Sequence, residues 1–335
     1  MQKITYLEKP VYIEAYSSVG GLEEKRGPLG KYFDFCDEND LFGMKTWERA
    51  EGEMSRIALN ISLNKLGLKP SELDILVAGD LQNQCVASSG GLFTFGVPFL
   101  GLYGACSTCT EGILVLSAML SVSKNYTRGA SVTSSHNCAA ERQFRTPIEY
   151  GGQRTPSSQW TATAAGSFIL GKSKSHIKIS SFMPGRAIDG YTKDQSNMGS
   201  AMALAAFDTI SAYFSENDAD SFDLVLTGDL GRVGSDILEE LLCEKLHSNG
   251  KKLASLHKDC GLLLYDTEKQ DVHSGASGCG CSASVLSSYV LPMVERGELR
   301  KIALLSTGAL MSTSSVSQGD HILGVAPIVI IEHEE

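Results

Sequence analysis

Two cysteines, Cys106 and Cys279, stand in turns of small residues, each directly before a stretch that the sequence predicts to be helical. Cys106 follows Gly104 and Ala105, and Cys279 follows Gly278. A thiol at the start of a buried helix is expected to have a lowered pKa and to face a pocket, as a nucleophilic cysteine requires. The alternative is that Cys106 is a small buried residue that lets the chain turn. The residues alone leave both interpretations open.

Two arginines, Arg142 and Arg145, lie three residues apart and follow a Ser-His-Asn run. We predict that their guanidinium groups clamp two carboxylates of a ligand, because Arg binds carboxylates in a bidentate manner. The alternative is a pair of surface or dimer-interface salt bridges. Ser135 and His136 end a predicted strand, where α/β sheets bind ligands, although a hydrogen-bonded turn would also explain them.

Asp80 and Asn83 follow an earlier predicted strand, where they either position Cys106 or a ligand ring or cap a turn. The pairs Cys106/Cys109 and Cys279/Cys281 lack the second C-x-x-C or His pair of a zinc site. The glycines of Gly228–Gly234 have the wrong spacing for dinucleotide binding. We therefore predict no metal, no cofactor and no catalytic residue. The predicted ligand-binding residues are Asp80, Asn83, Cys106, Ser135, His136, Arg142, Arg145 and Cys279.

Three pairs of similar segments, in the same order along the chain, indicate an internal duplication. The stretch between the first two landmarks is longer in the second copy, which indicates an insertion. Each copy has a helix, a buried strand, a cysteine turn, a buried helix and closing strands. The segments pair Leu73–Leu81 with Phe222–Leu230, Gly104–Cys106 with Ser277–Cys279, and Arg128–Ser134 with Arg300–Ser306.

The elements of the two copies follow from their apolar patterns. The strands Ile75–Ala78 and Leu224–Thr227 are unbroken apolar runs, as in parallel sheets covered on both faces. The predicted helices are one with Ala50, Met54, Ile57 and Ile61 on one face, then Met198–Phe214, Ile113–Val122 and about Ser282–Arg296, the last loosened by Pro292. Thr163–Leu170 with Ile177–Phe182, and Ala326–Ile331, are expected to complete the sheets.

These elements predict an α/β protein with a duplicated α-β-α-β-α layered architecture, divided into an N-terminal half, 1–185, and a C-terminal half, 186–335.

The net charge of −10 and the absence of any Lys/Arg run longer than Lys251–Lys252 exclude a nucleic-acid binder. The N-terminus has no apolar segment of a secretory signal, and no long apolar run predicts a membrane span. Nine scattered cysteines favour a reduced, cytoplasmic environment. We therefore expect a soluble protein.

The duplicated strand–cysteine–helix plan resembles the thiolase and ketoacyl-synthase superfamily, and within it the stage V sporulation protein AD family of spore-forming bacteria. The resembling stretches extend over nearly the whole chain. They are Gly27–Gly30, Ala78–Gln84, Gly104–Ser107, Thr133–Asn137, Ala140–Arg145, Glu149–Gly152, Leu226–Leu230, Asp259–Gly261 and Ser277–Cys279.

The resemblance implies a thiolase-like fold and binding of dipicolinic acid, a pyridine dicarboxylate, for its uptake into the developing spore. It leaves open whether the free acid or its calcium chelate is recognised. It also implies a homodimer, and partners from the same sporulation operon, including membrane subunits. The protein would then be peripheral at the spore inner membrane.

The enzymes of the superfamily pair their cysteine with His/Asn or His/Cys, which stabilise an oxyanion and move protons. Here the corresponding loops read Thr227-Gly228-Asp229 and Gly278-Cys279-Gly280, and His136 lies on a different loop. We therefore predict binding without turnover. The alternatives are an acyl-transferring enzyme that uses Cys106, and a structural subunit with a vestigial pocket.

Overall fold

The structure, a computed structural model, describes residues 2–145 and 154–335. Its strands are β1 (Thr5–Gly20), β2 (Phe35–Cys36), β3 (Ile75–Gly79), β4 (Phe99–Gly101), β5 (Arg128–Ser135), β6 (Trp160–Thr161), β7 (Ala164–Gly171), β8 (Ile177–Met183), β9 (Ile188–Asp189), β10 (Leu224–Thr227), β11 (His257–Asp259), β12 (Ala276–Ser277), β13 (Lys301–Leu305), β14 (Gly308–Leu310), β15 (Leu323–Val325) and β16 (Ile328–His333).

The helices are α1 (Leu22–Arg26), α2 (Trp47–Leu66), α3 (Val86–Leu92), α4 (Thr108–Val122), α5 (Met198–Phe214), α6 (Gly231–Lys245), α7 (His247–Leu256), α8 (Cys260–Leu264), α9 (Cys279–Val285), α10 (Leu291–Glu295) and α11 (Thr313–Ser317). A π-helical turn, Leu286–Val290, joins α9 to α10. A short 3-10 helix, Ala140–Phe144, follows β5.

The main sheet of the described residues is built from two matching sets of strands. Its order is β11-β10-β13-β16-β8-β1-β7-β5-β3-β4, with β2 beside β1. From the centre outwards, β1-β7-β5-β3-β4 and β8-β16-β13-β10-β11 follow the same order. In each set the second strand is antiparallel to both neighbours, and the outer strands are parallel. The predicted duplication is therefore confirmed.

Strand β8 belongs to a different set from the one that the sequence analysis gave it. The predicted strand Ile177–Phe182 was named together with Thr163–Leu170 and lay within the predicted half 1–185. In the structure β8 pairs with β16 on one side and with β1 on the other. It is therefore the first strand of the second set. The division into 1–185 and 186–335 stays a prediction, because the sheet is continuous through β1 and β8.

Helices cover the sheet in the expected layers. The central layer holds α4 and α9, and its core joins Ile113 and Leu116 of α4 to Val77 of the first set and Leu304 of the second. The outer face of the first set packs on α2 through residues such as Leu59. The outer face of the second set packs on α5 and α6. The α-β-α-β-α architecture is confirmed, with both faces of the parallel strands buried.

The stretch Ala105–Val122 is long and apolar enough to cross a membrane, but 67% of it is buried inside the fold. It is the central helix α4 with the turn before it. The second central helix is irregular: its π-helical turn ends at Val290, two residues before Pro292. Proline has no N–H, and its ring clashes with the carbonyl four residues earlier, so the helix widens at this point.

Candidate functional site

Each predicted cysteine lies in a tight turn that requires a left-handed backbone. Ala105 has φ 51° directly before Cys106, and Gly278 has φ 93° directly before Cys279. Such angles are unfavourable for a residue with a Cβ, so the Ala105 turn is strained. The turns precede α4 and α9, so the duplication places both thiols at the centre of the molecule. Cys106 and Cys279 belong to one buried cluster with Leu81 and Ala105.

Cys106 faces a small closed cavity. The residue is 3% exposed, and the cavity of about 20 Å³ is also lined by Tyr103, Glu141 and Met198. A space of this size has room for one water molecule. Cys106 therefore lines a cavity, but this cavity is far too small for an aromatic dicarboxylate, and ligand binding by Cys106 stays a prediction.

Two buried acids surround the Cys106 thiol. Its sulfur donates to Glu141 Oε1 at 3.6 Å, and Asp229 is the nearby acid that most disfavours a thiolate there. Burial, followed by these negative charges, holds the pKa of the Cys106 thiol well above its ordinary value. The lowered pKa expected from the sequence is therefore wrong, because burial and the acids outweigh the helix N-terminus.

The two acids are fixed by hydroxyl and backbone donors. Glu141 Oε2 accepts from Ser277 Oγ at 2.9 Å and from Thr161 Oγ1. Asp229 accepts from the Gly278 backbone N–H at 2.9 Å and from a threonine hydroxyl. Burial also raises the pKa of Asp229 well above its ordinary value. The sequence analysis missed Glu141, because no spacing along the chain relates it to Cys106.

An open surface groove of about 370 Å³ adjoins the closed cavity. Asn83 and Arg142, both predicted ligand-binding residues, line the groove together with Cys138. Leu81, Ala140 and Gln143 line the groove and the cavity alike. These three residues therefore separate the groove from the Cys106 thiol.

The predicted pair of arginines does not meet in this groove. Arg142 is exposed and its side chain makes no ion pair within 2–145 or 154–335. Arg145 turns inward, where Nη1 donates to the Asn137 carbonyl at 2.6 Å and Nη2 to Thr161 Oγ1 at 2.7 Å. Burial lowers the pKa of Arg145. Arg145 thus braces the loop after β5, and only Arg142 is available to a ligand in the groove.

His136 is a buried turn residue whose ring has both nitrogens engaged. Nδ1 accepts from the Cys138 backbone N–H at 3.1 Å, which leaves Nε2 to donate to the Asp40 carbonyl at 2.9 Å. Its ring packs against Trp47 with centroids 5.4 Å apart. Burial lowers the pKa of His136, so the ring is a neutral structural group outside the Cys106 cavity.

Asp80, Ser135 and Cys279 also make internal hydrogen bonds. Asp80 Oδ2 accepts from the Ser88 backbone N–H at 2.8 Å, within α3. Ser135 Oγ donates to the Ala162 carbonyl at 2.7 Å and accepts from the Gly280 N–H at 3.1 Å, at the start of α9. Cys279 donates to the Ser134 carbonyl at 3.0 Å. These contacts support the turns at the centre of the site.

The described part of the chain has no group of three or more His, Cys, Asp or Glu side chains arranged to hold a metal ion. The groove offers one exposed guanidinium and several side-chain amides, and the adjoining thiol of Cys106 is buried and neutral.

The sequence pattern of the family described as stage V sporulation protein AD matches residues 1–332. This chain belongs to that family. It is 39% identical to the stage V sporulation protein AD of Bacillus subtilis (strain 168) over 328 residues, which cover 97% of this chain and 95% of the relative. Membership supports a role in sporulation.

Solved structures of thiolase-like condensing enzymes share the fold. A variant of OleA from Xanthomonas campestris superposes with a TM-score of 0.62 and 12% identity, over 98% of this chain and 100% of OleA. Human mitochondrial 3-ketoacyl-CoA thiolase gives a TM-score of 0.62 and 10% identity, over the same shares of the two chains. The 3-oxoacyl-[acyl-carrier-protein] synthase III of Aquifex aeolicus gives 0.56 and 10% over 95% and 99%. Identities this low show the fold alone.

Proposed function

We propose that this chain binds dipicolinic acid and supports its uptake into the developing spore. The family gives the role in sporulation, and the groove at Arg142 is the observation that carries the choice of ligand. An open space of about 370 Å³ is within the range of small-molecule sites in proteins. The ring of a pyridine dicarboxylate would lie over Leu81 and Ala140, next to Arg142.

The groove offers hydrogen-bonding groups that are not engaged elsewhere in the described chain. The side chains of Asn83, Arg142 and Gln143 make no hydrogen bond to another described residue. A guanidinium fork binds a carboxylate in a bidentate manner, and side-chain amides donate to the remaining oxygens. Glu48 is the acid at the rim of this groove. The expected ligand therefore keeps one carboxylate at Arg142 and the other towards the amides.

Calorimetric titration with dipicolinate, with and without calcium, tests this proposal. Arg142→Gln should weaken binding at least about tenfold, since it removes a charge-assisted hydrogen bond. Arg300→Gln is the matched control, because Arg300 is also exposed and lies in the other half of the chain. Equal affinities of the wild type and Arg142→Gln would contradict the groove assignment. Comparing the two calcium conditions distinguishes the free acid from the chelate.

A thiol footprint gives a second, position-specific readout. Cys138 lines the groove and is partly exposed, whereas Cys243 is exposed and lies outside it. Bound dipicolinate should slow alkylation of Cys138 and leave the alkylation rate of Cys243 unchanged. Equal slowing of both would indicate a general effect on the protein, and protection of neither would argue against a ligand in this groove.

We also propose that the chain does not turn over a substrate. Burial and the nearby Asp229 and Glu141 favour the neutral form of the Cys106 thiol, whereas acyl transfer requires the thiolate. Incubation with radiolabelled acyl-CoA, followed by intact-mass measurement, should show no added acyl group. Stable acylation of Cys106 would support the acyl-transferring alternative instead.

A homodimer and membrane partners complete the proposal. Strand β4 lies at the end of the sheet, pairs on one side with β3, and all three of its residues are exposed. Phe93, Tyr103 and the β4 residues form an apolar edge that suits a second copy of the chain.

Uptake further requires membrane subunits of the same operon, with this chain peripheral at the spore inner membrane. Flotation with membranes that contain those subunits, against membranes that lack them, measures this association.

A further inference from the structure

A cleft of about 430 Å³ lies between α2 and α3, and none of the predicted ligand-binding residues line it. Its apolar walls include Met44, Val86 and Ala87. Drug-sized ligands occupy clefts of this volume, which are mostly apolar and have a few polar groups. Val86 is 54% exposed at its mouth, so the apolar surface is open to a ligand.

Glycines give the cleft its shape. A Cβ on Gly91 would lie 2.0 Å from the carbonyl oxygen of Gly52, so the two helices touch backbone to backbone at this point. Gly90, the next residue along α3, also lines the cleft, and a Cβ there would have no neighbour within 4 Å. The cleft is therefore an open space above a close helix contact, and it can be filled from Gly90 without a clash.

Two arginines of α2 border this apolar space. Arg49 and Arg56 are seven residues apart, which places them on one face of the helix about two turns from each other. Arg56 donates from Nε and Nη2 to Glu53, at 2.7 and 2.5 Å, which leaves its Nη1 unused by the described residues. Arg49 is exposed and makes no ion pair within the described ranges. Glu48 and Glu53 are the acids that line the cleft.

We propose that this cleft is a second binding site for a small aromatic carboxylate, in addition to the groove at Arg142. The carboxylate would bind Arg49, with Arg56 Nη1 as a further donor, and the ring would lie on Val86, Ala87 and Gly90. Glu48 lines both the cleft and the groove, so the two sites adjoin. The inference rests on the proposed function for the identity of the ligand, dipicolinate, and adds a second place where it binds.

Equilibrium dialysis with dipicolinate tests the second site through stoichiometry. The wild type should bind two molecules per chain, and Arg49→Gln and Arg142→Gln should each bind one. Gly90→Glu should also lose one site, because the new side chain fills the cleft and repels an anion. Gly90→Ala is the matched control: it adds only a methyl group in open space and should keep both sites. Circular dichroism of each variant checks that the fold is intact.

Each pattern of results decides between the two sites. The wild type could bind one molecule per chain that Arg142→Gln loses and that Arg49→Gln and Gly90→Glu keep. This result would overturn the binding site in the cleft and leave the proposed function in place. One molecule lost in Arg49→Gln and kept in Arg142→Gln supports the cleft and overturns the groove. No binding of dipicolinate by the wild type at millimolar concentration overturns both.

Discussion

At the scale of single residues, burial first and the neighbouring acids second determine the protonation state of Cys106. A thiolate at this position would be desolvated and close to Asp229 and Glu141, so the neutral thiol is favoured. The sequence located the turn, because Gly-Ala-Cys and Ser-Gly-Cys precede apolar stretches. It placed Asp229 in a loop that corresponds to one of the enzymes' catalytic loops, but it did not reveal that Asp229 and Glu141 lie beside the thiol, because only the tertiary fold brings these residues together.

The raised pKa of Cys106 predicts a thiol that is unreactive in the folded protein. With iodoacetamide at pH 8, Cys106 should be alkylated at least about tenfold more slowly than Cys243, because only the thiolate reacts and Cys106 is buried. Peptide mass spectrometry measures both rates in one sample. Denaturant should make the two rates similar. Faster labelling of Cys106 than of Cys243 in the native protein would contradict the closed, protonated site.

A single methyl group is expected to have unequal effects on stability in the two cysteine turns. A Cβ on Gly278 would lie 2.6 Å from Ser135 Oγ at a φ of 93°, so Gly278→Ala should lower the free energy of unfolding by about 1–3 kcal/mol. Ala105→Gly should change it by less than about 1 kcal/mol, since relief of strain at φ 51° offsets the greater freedom of the unfolded chain. Urea denaturation measures both. A larger loss in Ala105→Gly would contradict the strain assigned to that turn.

At the scale of elements, α2 buries a carboxyl group that its sequence pattern does not explain. Glu51 is fully buried and accepts from Gln82 Nε2 at 2.7 Å. The sequence predicted the apolar face with Ala50 and Met54, which are both fully buried. Glu51 is next to Ala50 along the helix, and a charged residue there is normally exposed. Its partner comes from the loop after β3, so local pattern could not identify it.

Glu51 predicts a pH-dependent stability with a definite sign. Burial raises its pKa from about 4.5 to about 8, so the folded protein holds a proton that the unfolded chain releases between these values. The contribution of Glu51 to the free energy of unfolding is therefore most favourable at the low end of this pH window, and it is lost as the pH rises through about 8. Each unit of pKa difference corresponds to about 1.4 kcal/mol.

Glu51→Gln should therefore be less destabilised than the wild type as the pH rises from 5 to 8, because its amide does not titrate. Urea denaturation at several pH values measures the difference between the two proteins, which should change by a few kcal/mol over this window, at about 1.4 kcal/mol per unit. Glu48→Gln, an exposed residue of the same helix, is the control and should track the wild type. Parallel curves for wild type and Glu51→Gln would contradict a protonated Glu51.

At the scale of the whole molecule, the duplication was readable from the sequence, but the pairing of the halves was not. Matching segments such as Leu73–Leu81 and Phe222–Leu230 indicated two copies, and the strand order confirms them. The predicted strand Ile177–Phe182 lay within the predicted half 1–185, whereas in the strand order it begins the second set, because a buried strand carries no mark of the partner it will pair with. This strand follows β7 along the chain, but in the sheet it forms its hydrogen bonds with β16 and β1.

The exposed edge of the main sheet is the basis for the proposed dimer, in which two copies of the chain would pair through β4. Leu100 lies in the middle of β4 and is 37% exposed. A second copy can pair with this edge and cover it, which removes an apolar strand edge from water. Sedimentation equilibrium of the wild type should therefore give twice the chain mass of 35.9 kDa. Leu100→Lys should give the monomer mass, because a charged side chain would have to be buried in the proposed interface.

Leu323→Lys separates an effect of this edge from a general effect of added charge. Leu323 is 39% exposed, close to the value for Leu100, and lies on β15 in the small separate sheet with β14 and β9. This variant should remain a dimer. A monomeric wild type at micromolar concentration, or a Leu100→Lys variant that keeps the dimer mass, would contradict the proposal that β4 forms the dimer interface. The apolar edge formed by Phe93, Tyr103 and β4 would then need a partner other than a second copy of the chain.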